Sequence, residues 1–269
     1  MADKHCYALR VSYDGSAFSG FQRHPSLPTI QSSLEAALAA IGVPVPVEGG
    51  GRTDAGVHAL GQVVSFRTRE RLDPATLPER LRPHLPEAIR IEAAVEAPWS
   101  FHARFSARAK HYRYDVITGP HGAEEARFAW TLPDPRGFPD VATVDRLDEA
   151  AIRAFLARCE GWHDFRNLAH PKASGKTRRL LLEARLSVEP RAAGGARWRF
   201  EFRSPGFLRH QVRNLVGVAV TVGLGRLPPE EQERLLSGKG DRWRGARAPG
   251  RGLTLVAIEY PPGEDPFGG

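Results

Sequence analysis

A glycine-rich loop that carries a single carboxylate is the feature that most constrains the fold of this chain. Residues 50–58 read Gly-Gly-Arg-Thr-Asp-Ala-Gly-Val-His and separate two apolar runs. The runs predict strands at 43–48 and 61–68, because glycines between them permit turns that other residues cannot adopt. Short polar side chains on such loops often perform chemistry, so Asp54 is a candidate functional residue. The alternative is that Asp54 only closes a turn by bonding to nearby backbone.

Composition excludes several classes of protein. The chain has 269 residues, of which 41% are hydrophobic and 26% are charged, as in soluble globular proteins. No apolar run is long enough to cross a bilayer and the N-terminus lacks a signal-like segment, so we expect a cytoplasmic protein without a membrane partner. Cys6 and Cys159 lie in different predicted elements, which favours two buried thiols over a disulfide. Histidine and cysteine spacings predict no metal site.

The charge balance favours a polyanionic partner. The formal net charge is +7 at pH 7, and arginine supplies most of the cations. Guanidinium groups match phosphate geometry and stack on bases, which is typical of nucleic-acid binding. A basic surface without a specific partner is the alternative, and a GC-rich or thermophilic source would also enrich arginine.

The order of predicted elements repeats along the chain. A strand, a helix capped by Thr29 and further strands form a predicted N-terminal half over 1–117. Residues 118–142 are rich in Pro and Gly and are predicted to be a linker or excursion. Thr143 is predicted to cap the helix that opens a C-terminal half over 143–269. The repeat predicts an α+β fold made of two halves.

Five segments form a set of motifs in one order along the chain. Besides the loop, they are Tyr-Asp-Gly…Gly-Phe-Gln from Tyr13, Phe-His-Ala-Arg-Phe-Ser-Ala from Phe101, Phe-Leu-Arg-His-Gln-Val-Arg-Asn from Phe207 and Gly-Leu-Thr-Leu from Gly252. Together they resemble the tRNA pseudouridine synthase A family over nearly the whole chain. Phe21 stands where the family usually has Trp, and Gln211 where Met is usual. Both departures fall at packing positions.

The resemblance implies a fold and an activity. The fold would be two ferredoxin-like halves joined into a continuous mixed sheet, with helices packed on it and a central catalytic cleft. The activity would be isomerisation of uridine to pseudouridine at positions 38, 39 and 40 in the anticodon stem-loop of tRNA. The family works as a homodimer, and the reaction needs neither a cofactor nor a metal.

The resemblance also implies roles for five residues. Asp54 would be the catalytic carboxylate, acting on the sugar as nucleophile or as base, and Arg213 would pair with it. Tyr112 would stack on the uracil, Leu253 would be an apolar wall of the pocket, and Arg52 would hold the displaced RNA backbone. From the residues alone, Tyr112 and Leu253 also fit core positions, Arg52 a solvated loop and Arg213 a phosphate contact.

Four further cations lie in or beside the motif segments. We expect them to line the cleft and to contact phosphates of the RNA. They are Arg23, Arg104, Lys110 and Arg113.

Three other functions compete with this interpretation. A non-catalytic RNA-binding protein would explain the charge but not the Asp54 loop. An aspartic hydrolase would need a second Asp-Thr/Ser-Gly motif, and Asp14-Gly15-Ser16 has the wrong order. A phosphate-binding loop at 49–51 would need a following Lys-Ser/Thr, which is absent from the sequence.

Overall fold

The computed structural model describes residues 4–140, 144, 147–173 and 175–268. It confirms the predicted α+β class. The helices and strands, in chain order, are β1 (His5–Tyr13), α1 (Ile30–Ala40), β2 (Glu48–Gly49), β3 (His58–Thr68), α2 (Leu77–Leu81), β4 (Ile89–Ala97), β5 (Ala109–Thr118), α3 (Ala123–Phe128), β6 (Trp130–Leu132), α4 (Glu149–Cys159), β7 (Gly161–Asp164), β8 (Arg178–Leu181), β9 (Glu183–Pro190), β10 (Ala196–Ser204), α5 (Gln211–Gly223), α6 (Pro229–Ser237) and β11 (Leu253–Glu259).

The chain folds as two compact units whose boundaries differ from the sequence-based division. The first unit consists of the chain up to Lys110 together with the residues from Thr254 onward, and the second unit runs from His111 to Leu253. The division predicted from the sequence assigned the whole of 143–269 to the C-terminal half. Strand β11 instead pairs in parallel with β3, with Thr254 opposite His58. This long-range pairing returns the end of the chain to the first unit.

The first unit is built on a mixed sheet. Its strand order is β4-β1-β3-β11, and β2 also pairs with β3. Strand β1 runs antiparallel to both neighbours, β3 and β4. Cys6, Tyr7, Ala8 and Leu9 of β1 are all buried, so this part of the strand is covered on both faces of the sheet. Strand β3 pairs with both β1 and β2 and so anchors the two sides of the loop that follows β2, although both ladders of β1 shift register near Val11.

Helix α1 forms as its sequence signals predict. Thr29 caps the helix by accepting a hydrogen bond from the Ser32 amide, and the Ser32 side chain completes a capping box. Leu34 and Leu38, one turn apart, are both buried. Gly42, which follows the helix, has a φ of 87°, a conformation that glycine adopts without strain.

The apolar run before the Asp54 loop is not the strand that the sequence predicts. Only Glu48 and Gly49 of this region pair with β3. Pro44 and Pro46 lack the backbone N–H that a continuous ladder needs, so the preceding residues cannot pair regularly. Val47 is nevertheless fully buried, which shows that the apolar character of the run serves packing.

The second unit contains a sheet with the order β5-β10-β9 and a separate two-stranded sheet of β7 and β8. Trp198, Phe200 and Phe202 alternate along β10 and are buried. On the other face of β10, Arg199 donates to the buried Asp115 carboxylate of β5 at 2.9 Å. Helix α5 is buried along nearly its whole length, as its apolar sequence predicts.

The Pro- and Gly-rich segment predicted as a linker is structured over its described part, residues 118–140. It contains α3 and β6, and β6 pairs in parallel with β5. Trp130 of β6 is fully buried, and its indole N–H donates to Asp134 at 2.8 Å. A three-residue strand is too short to show a periodic pattern, so the sequence did not reveal it.

The helix predicted to open the second half begins later than expected. Helix α4 starts at Glu149, and the Asp148 side chain caps it by accepting from the Ala151 amide. The predicted cap, Thr143, and the end of the predicted linker at 141–142 lie outside the described residues.

Both cysteines are buried free thiols, as predicted. Burial raises the pKa of Cys6 and of Cys159 above the ordinary value of a thiol. In the described ranges, no cluster of three or more His, Cys, Asp or Glu side chains could hold a metal ion. Over the same ranges, no helix is both long and apolar enough to cross a membrane.

We predict that Tyr7→Phe destabilises the first unit. The Tyr7 hydroxyl is buried, donates to the Leu72 carbonyl at 3.1 Å and accepts from the Leu72 amide at 2.8 Å. Its removal leaves two buried backbone groups without a partner, so the free energy of unfolding should fall by about 1–3 kcal/mol. Urea unfolding measures this change.

Tyr260→Phe is the matched control, because the Tyr260 hydroxyl makes a single hydrogen bond to the Ala103 carbonyl. Its loss of unfolding free energy should be smaller than that of Tyr7→Phe. Equal losses, or no loss from Tyr7→Phe, would contradict the importance of the double hydrogen bond.

Candidate active site

The Asp54 loop presents its carboxylate at a turn of defined shape. Thr53 is buried, Asp54 is half-buried and Arg52 is exposed. The Val57 amide donates to the Asp54 carbonyl at 3.2 Å and closes the turn. Gly56, the third residue of this turn, has a φ of 74°, the conformation for which glycine is preferred. The backbone therefore fixes the point from which the Asp54 side chain extends.

The start of the loop is held by a buried glutamine. Gln62 is fully buried, and its side chain makes two hydrogen bonds to the backbone of Gly51. The Gly51 amide donates to Oε1 at 3.0 Å, and Nε2 donates to the Gly51 carbonyl at 2.6 Å. The amide group of Gln62 thus pairs with the loop as a neighbouring strand would. Such a pair leaves the loop start little freedom to move.

A tyrosine anchors the residue next to Asp54. The Tyr13 and Thr53 hydroxyls are 2.8 Å apart, and Gln62 Nε2 donates to the Tyr13 oxygen at 3.4 Å. Burial raises the pKa of Tyr13 to about 12, although both hydrogen bonds oppose this shift. Tyr13 therefore remains a neutral hydroxyl at physiological pH and acts as a structural partner of Thr53.

The segment 15–21 is hydrogen-bonded to the Asp54 loop, backbone to backbone. The Phe21 amide donates to the Thr53 carbonyl at 3.0 Å, and the Gly56 amide donates to the Phe18 carbonyl at 3.3 Å. Gly20 has a φ of 96°, and a Cβ there would lie 2.7 Å from the Thr53 oxygen. A Cβ at Gly15 would overlap the Val57 carbonyl. Two motifs that are distant in sequence thus lock together only because glycines allow the contact.

In the second unit, Arg213 is tied to one backbone segment. Its Nε donates to the Ala248 carbonyl at 2.7 Å, and the Ala248 amide donates to the Arg213 carbonyl at 3.2 Å. Four residues further along α5, a Cβ on Gly217 would overlap the Ala246 carbonyl oxygen. The Trp243 indole N–H donates to that same oxygen at 3.0 Å. Gly217 therefore leaves the space in which the segment that anchors Arg213 lies.

The same backbone segment contacts Tyr114 and leads into Leu253. The buried Tyr114 hydroxyl donates to the Pro249 carbonyl at 2.7 Å, and its ring packs on Gly252, next to Leu253. Tyr112 lies two residues before Tyr114 and is also buried; its ring meets that of Phe207 edge-on at 5.3 Å. Burial raises the pKa of Tyr114 well above its ordinary value, which suits a structural donor.

The predicted site residues fall into two groups. Arg52 and Asp54 share the loop of the first unit, and residues 246–253 connect Arg213 and Leu253 within the second. The pairing of Asp54 with Arg213, which belong to different units, stays a prediction. Gln62 and Gly217, which support the two groups, are not among the residues predicted from the sequence. The one signal for Gly217 was a glycine inside an otherwise apolar helix.

The four predicted RNA-binding cations have different surroundings. Arg23 forms an ion pair with Glu35, and Arg113 lies 3.4 Å from the Asp115 carboxylate. Arg104 is exposed, with its guanidinium 5.6 Å from the centre of the Phe105 ring. Burial and, secondarily, the charge of Arg104 lower the pKa of Lys110 to about 8. Arg104 and Lys110 therefore lie within electrostatic reach of each other.

Comparison with known proteins identifies the family of this chain. The family model of the tRNA pseudouridine synthases matches residues 10–106 and 156–261. The tRNA pseudouridine synthase A of Methylacidiphilum infernorum is 39% identical over 266 residues, which cover 96% of this chain and 97% of that protein. The protein of that name from Syntrophotalea carbinolica is 38% identical and covers 94% and 96%. The one from Shouchella clausii is 35% identical and covers 94% and 92%.

These matches include the Asp54 loop, the segment that grips it and the helix that carries Arg213. They extend over nearly the full length of this chain and of its relatives. They confirm the resemblance seen in the five motifs: the chain belongs to the tRNA pseudouridine synthase family.

Proposed function

We propose that this protein is a tRNA pseudouridine synthase, an isomerase that converts uridine to pseudouridine in the anticodon stem-loop at positions 38, 39 and 40. The observation that carries the proposal is the full-length similarity to proteins named tRNA pseudouridine synthase A. The braced presentation of Asp54 supports it, because catalytic groups must be held in a narrow range of positions.

The reaction defines what the protein must supply. The N1–C1′ bond of uridine breaks, the base turns, and a C5–C1′ bond forms; C5 loses a proton and N1 gains one. All other atoms of uridine remain in the product, so no oxidant, reductant or co-substrate takes part. The protein must place a carboxylate near the sugar, hold the free base and exclude water that would capture the reactive sugar.

Within this proposal, Asp54 is the catalytic carboxylate. It either adds to C1′ or removes a proton from the sugar, and its negative charge is needed in both cases. Tyr112 stacks on the extruded uracil, and Leu253 is an apolar wall beside it. Arg213 binds the substrate from a position set by Ala248, and Arg52, exposed on the Asp54 loop, holds the displaced RNA backbone.

Phosphate contacts supply much of the affinity for tRNA in this proposal. The exposed Arg104 and the neighbouring Lys110 are the strongest candidates. Arg23 and Arg113 also contribute, but each is already close to a carboxylate of the protein, so we expect smaller effects from them. The proposal places the protein in the cytoplasm together with its tRNA substrate.

We further propose that the protein works as a homodimer, because tRNA spans more surface than one small chain offers and a second subunit would extend the basic surface. Light scattering at micromolar concentration should give twice the chain mass of 29.6 kDa. A monomer mass with full activity at the same concentration would contradict this arrangement.

Asp54→Asn tests the catalytic assignment. The substitution keeps the size of the side chain and removes its charge, so pseudouridine formation should fall below detection. Affinity for tRNA should stay within a few-fold, because phosphate contacts elsewhere provide it. Product formation is measured on an unmodified tRNA transcript, and affinity by fluorescence anisotropy with the same RNA.

Asp73→Asn is the matched control: it makes the same chemical change at an exposed turn residue of the same unit. It should retain activity. The catalytic role of Asp54 fails if Asp54→Asn, shown by mass spectrometry to be free of deamidation, still forms pseudouridine at a measurable rate. In that case Asp54 is the turn residue of the alternative interpretation.

The lowered pKa of Lys110 predicts a pH dependence of RNA binding. A bound phosphate favours the charged ammonium, whereas free Lys110 loses its proton as the pH rises through about 8. Binding above that pH therefore requires uptake of a proton, and affinity for tRNA should fall from about pH 7 to about pH 9. Anisotropy titrations at constant ionic strength measure the effect.

Lys110→Arg should flatten this dependence, because a guanidinium stays charged over the whole range. A pH dependence that persists unchanged in Lys110→Arg would show that another group is responsible. It would also remove Lys110 from the set of phosphate contacts.

A further inference from the structure

One aromatic ring of the first unit is held out into solvent. Phe105 is 75% exposed, more than the other large apolar side chains in the described ranges. A phenyl ring exposed to this extent adds little to the core and is unfavourable in water. It lies in the motif that begins at Phe101, but none of the roles proposed above uses it.

The turn that carries Phe105 is firmly braced. The His102 amide donates to Ser106 Oγ at 3.1 Å, and the Ser106 amide donates back to the His102 carbonyl at 2.9 Å. The amides of Arg104 and Phe105 both donate to His102 Nδ1, at 3.1 Å and 3.4 Å. The exposure of Phe105 thus belongs to an ordered turn and does not arise from a loose loop.

The turn is also attached to β3, which follows the Asp54 loop, and to Tyr260 just after β11. The Ala103 amide donates to Ser65 Oγ of β3 at 3.0 Å, and the Ala103 carbonyl accepts from Tyr260 at 2.8 Å. A Cβ on Gly50, at the start of the loop, would lie 2.9 Å from that carbonyl oxygen. The backbone beneath Phe105 is therefore in contact with the first residue of the Asp54 loop.

The surroundings of the ring are cationic. The Arg104 guanidinium lies 5.6 Å from the ring centre. Lys110 is near enough to Arg104 for the two charges to affect each other. Positive charge around an exposed aromatic ring matches a nucleic acid, whose phosphates need cations and whose unpaired bases need a stacking surface.

We propose that Phe105 is a stacking platform for an unpaired nucleobase of the RNA substrate, with Arg104 beside it to contact the adjoining phosphate. Because the braced turn at 102–106 is tied to Gly50, the platform holds the RNA in a set position relative to the Asp54 loop. This inference deepens the proposed function and rests on it. It adds a substrate-binding residue to those that the family motifs indicate.

Binding to two RNAs tests the platform: a stem-loop with an unpaired loop, and a fully paired duplex with the same number of phosphates. Phe105→Ala should weaken stem-loop binding by about tenfold or more, the size expected for loss of one base–aromatic stack. Its affinity for the duplex, and the salt dependence of both affinities, should be unchanged because no phosphate contact is lost. Phe105→Trp should keep the stem-loop affinity of the wild type. Phe105→Leu, which is apolar but has no π face, should lose as much affinity as Phe105→Ala.

Trp162→Ala is the matched control, since Trp162 is 62% exposed in the second unit and should leave both affinities unchanged. The platform is ruled out if Phe105→Ala binds the stem-loop as the wild type does, or loses affinity for both RNAs equally. A fall in molar mass by light scattering would assign the ring to a contact between protein chains instead. Pseudouridine formation by the wild type, measured separately, tests the proposed function independently of these binding results.

Discussion

The contact between the segment 15–21 and the Asp54 loop is the constraint on which the candidate site depends. It is made by main-chain groups: the Phe21 amide meets the Thr53 carbonyl, and the Gly56 amide meets the Phe18 carbonyl. When ordered backbone segments form a hydrogen bond, little conformational entropy is lost. Such bonds therefore position a functional side chain more firmly than bonds from long, flexible side chains do. Gly20 is required because any other residue would need a strained φ and would meet the Thr53 oxygen.

The second unit positions Arg213 by the same means. Gly217 has no side chain, so the Ala246 carbonyl can lie against helix α5, where the Trp243 indole N–H donates to it. The Ala248 carbonyl, two residues further on, accepts a hydrogen bond from the Arg213 guanidinium. The Arg213 side chain is long and flexible, and a fixed acceptor restricts its rotamers. Both units thus use close backbone approach at a glycine to hold a charged group. The turn below Phe105 repeats this pattern, because the Ala103 carbonyl lies against Gly50.

Local signals in the sequence predicted local structure well. The helix capped by Thr29 and the burial of α5 follow from capping chemistry and apolar periodicity, which act over a few residues. The prediction of a strand before the Asp54 loop was wrong, because it relied on the apolar residues and gave too little weight to the prolines at 44 and 46. The return of β11 to β3 and the short strand around Trp130 depend on partners distant in sequence, which periodicity does not reveal.

The candidate site was predictable as a set of motifs but not as a set of contacts. Asp54 stood out because a carboxylate in a glycine-rich loop is unusual. Nothing in the sequence indicated that Gln62 pairs with Gly51 or that Gly217 makes room for Ala246, since these contacts join segments far apart in the chain. The chemical roles of the site residues come from the family resemblance and stay proposals.

The central claim is that the chain isomerises specific uridines of tRNA, and its most direct test is a map of modified positions. The purified wild-type protein is incubated with an unmodified tRNA transcript that carries uridines throughout, and pseudouridine is then located nucleotide by nucleotide. The account predicts pseudouridine at 38, 39 or 40 and at no other uridine, without any added cofactor. A transcript that is bound but unmodified, or modified only outside the anticodon stem-loop, would contradict it.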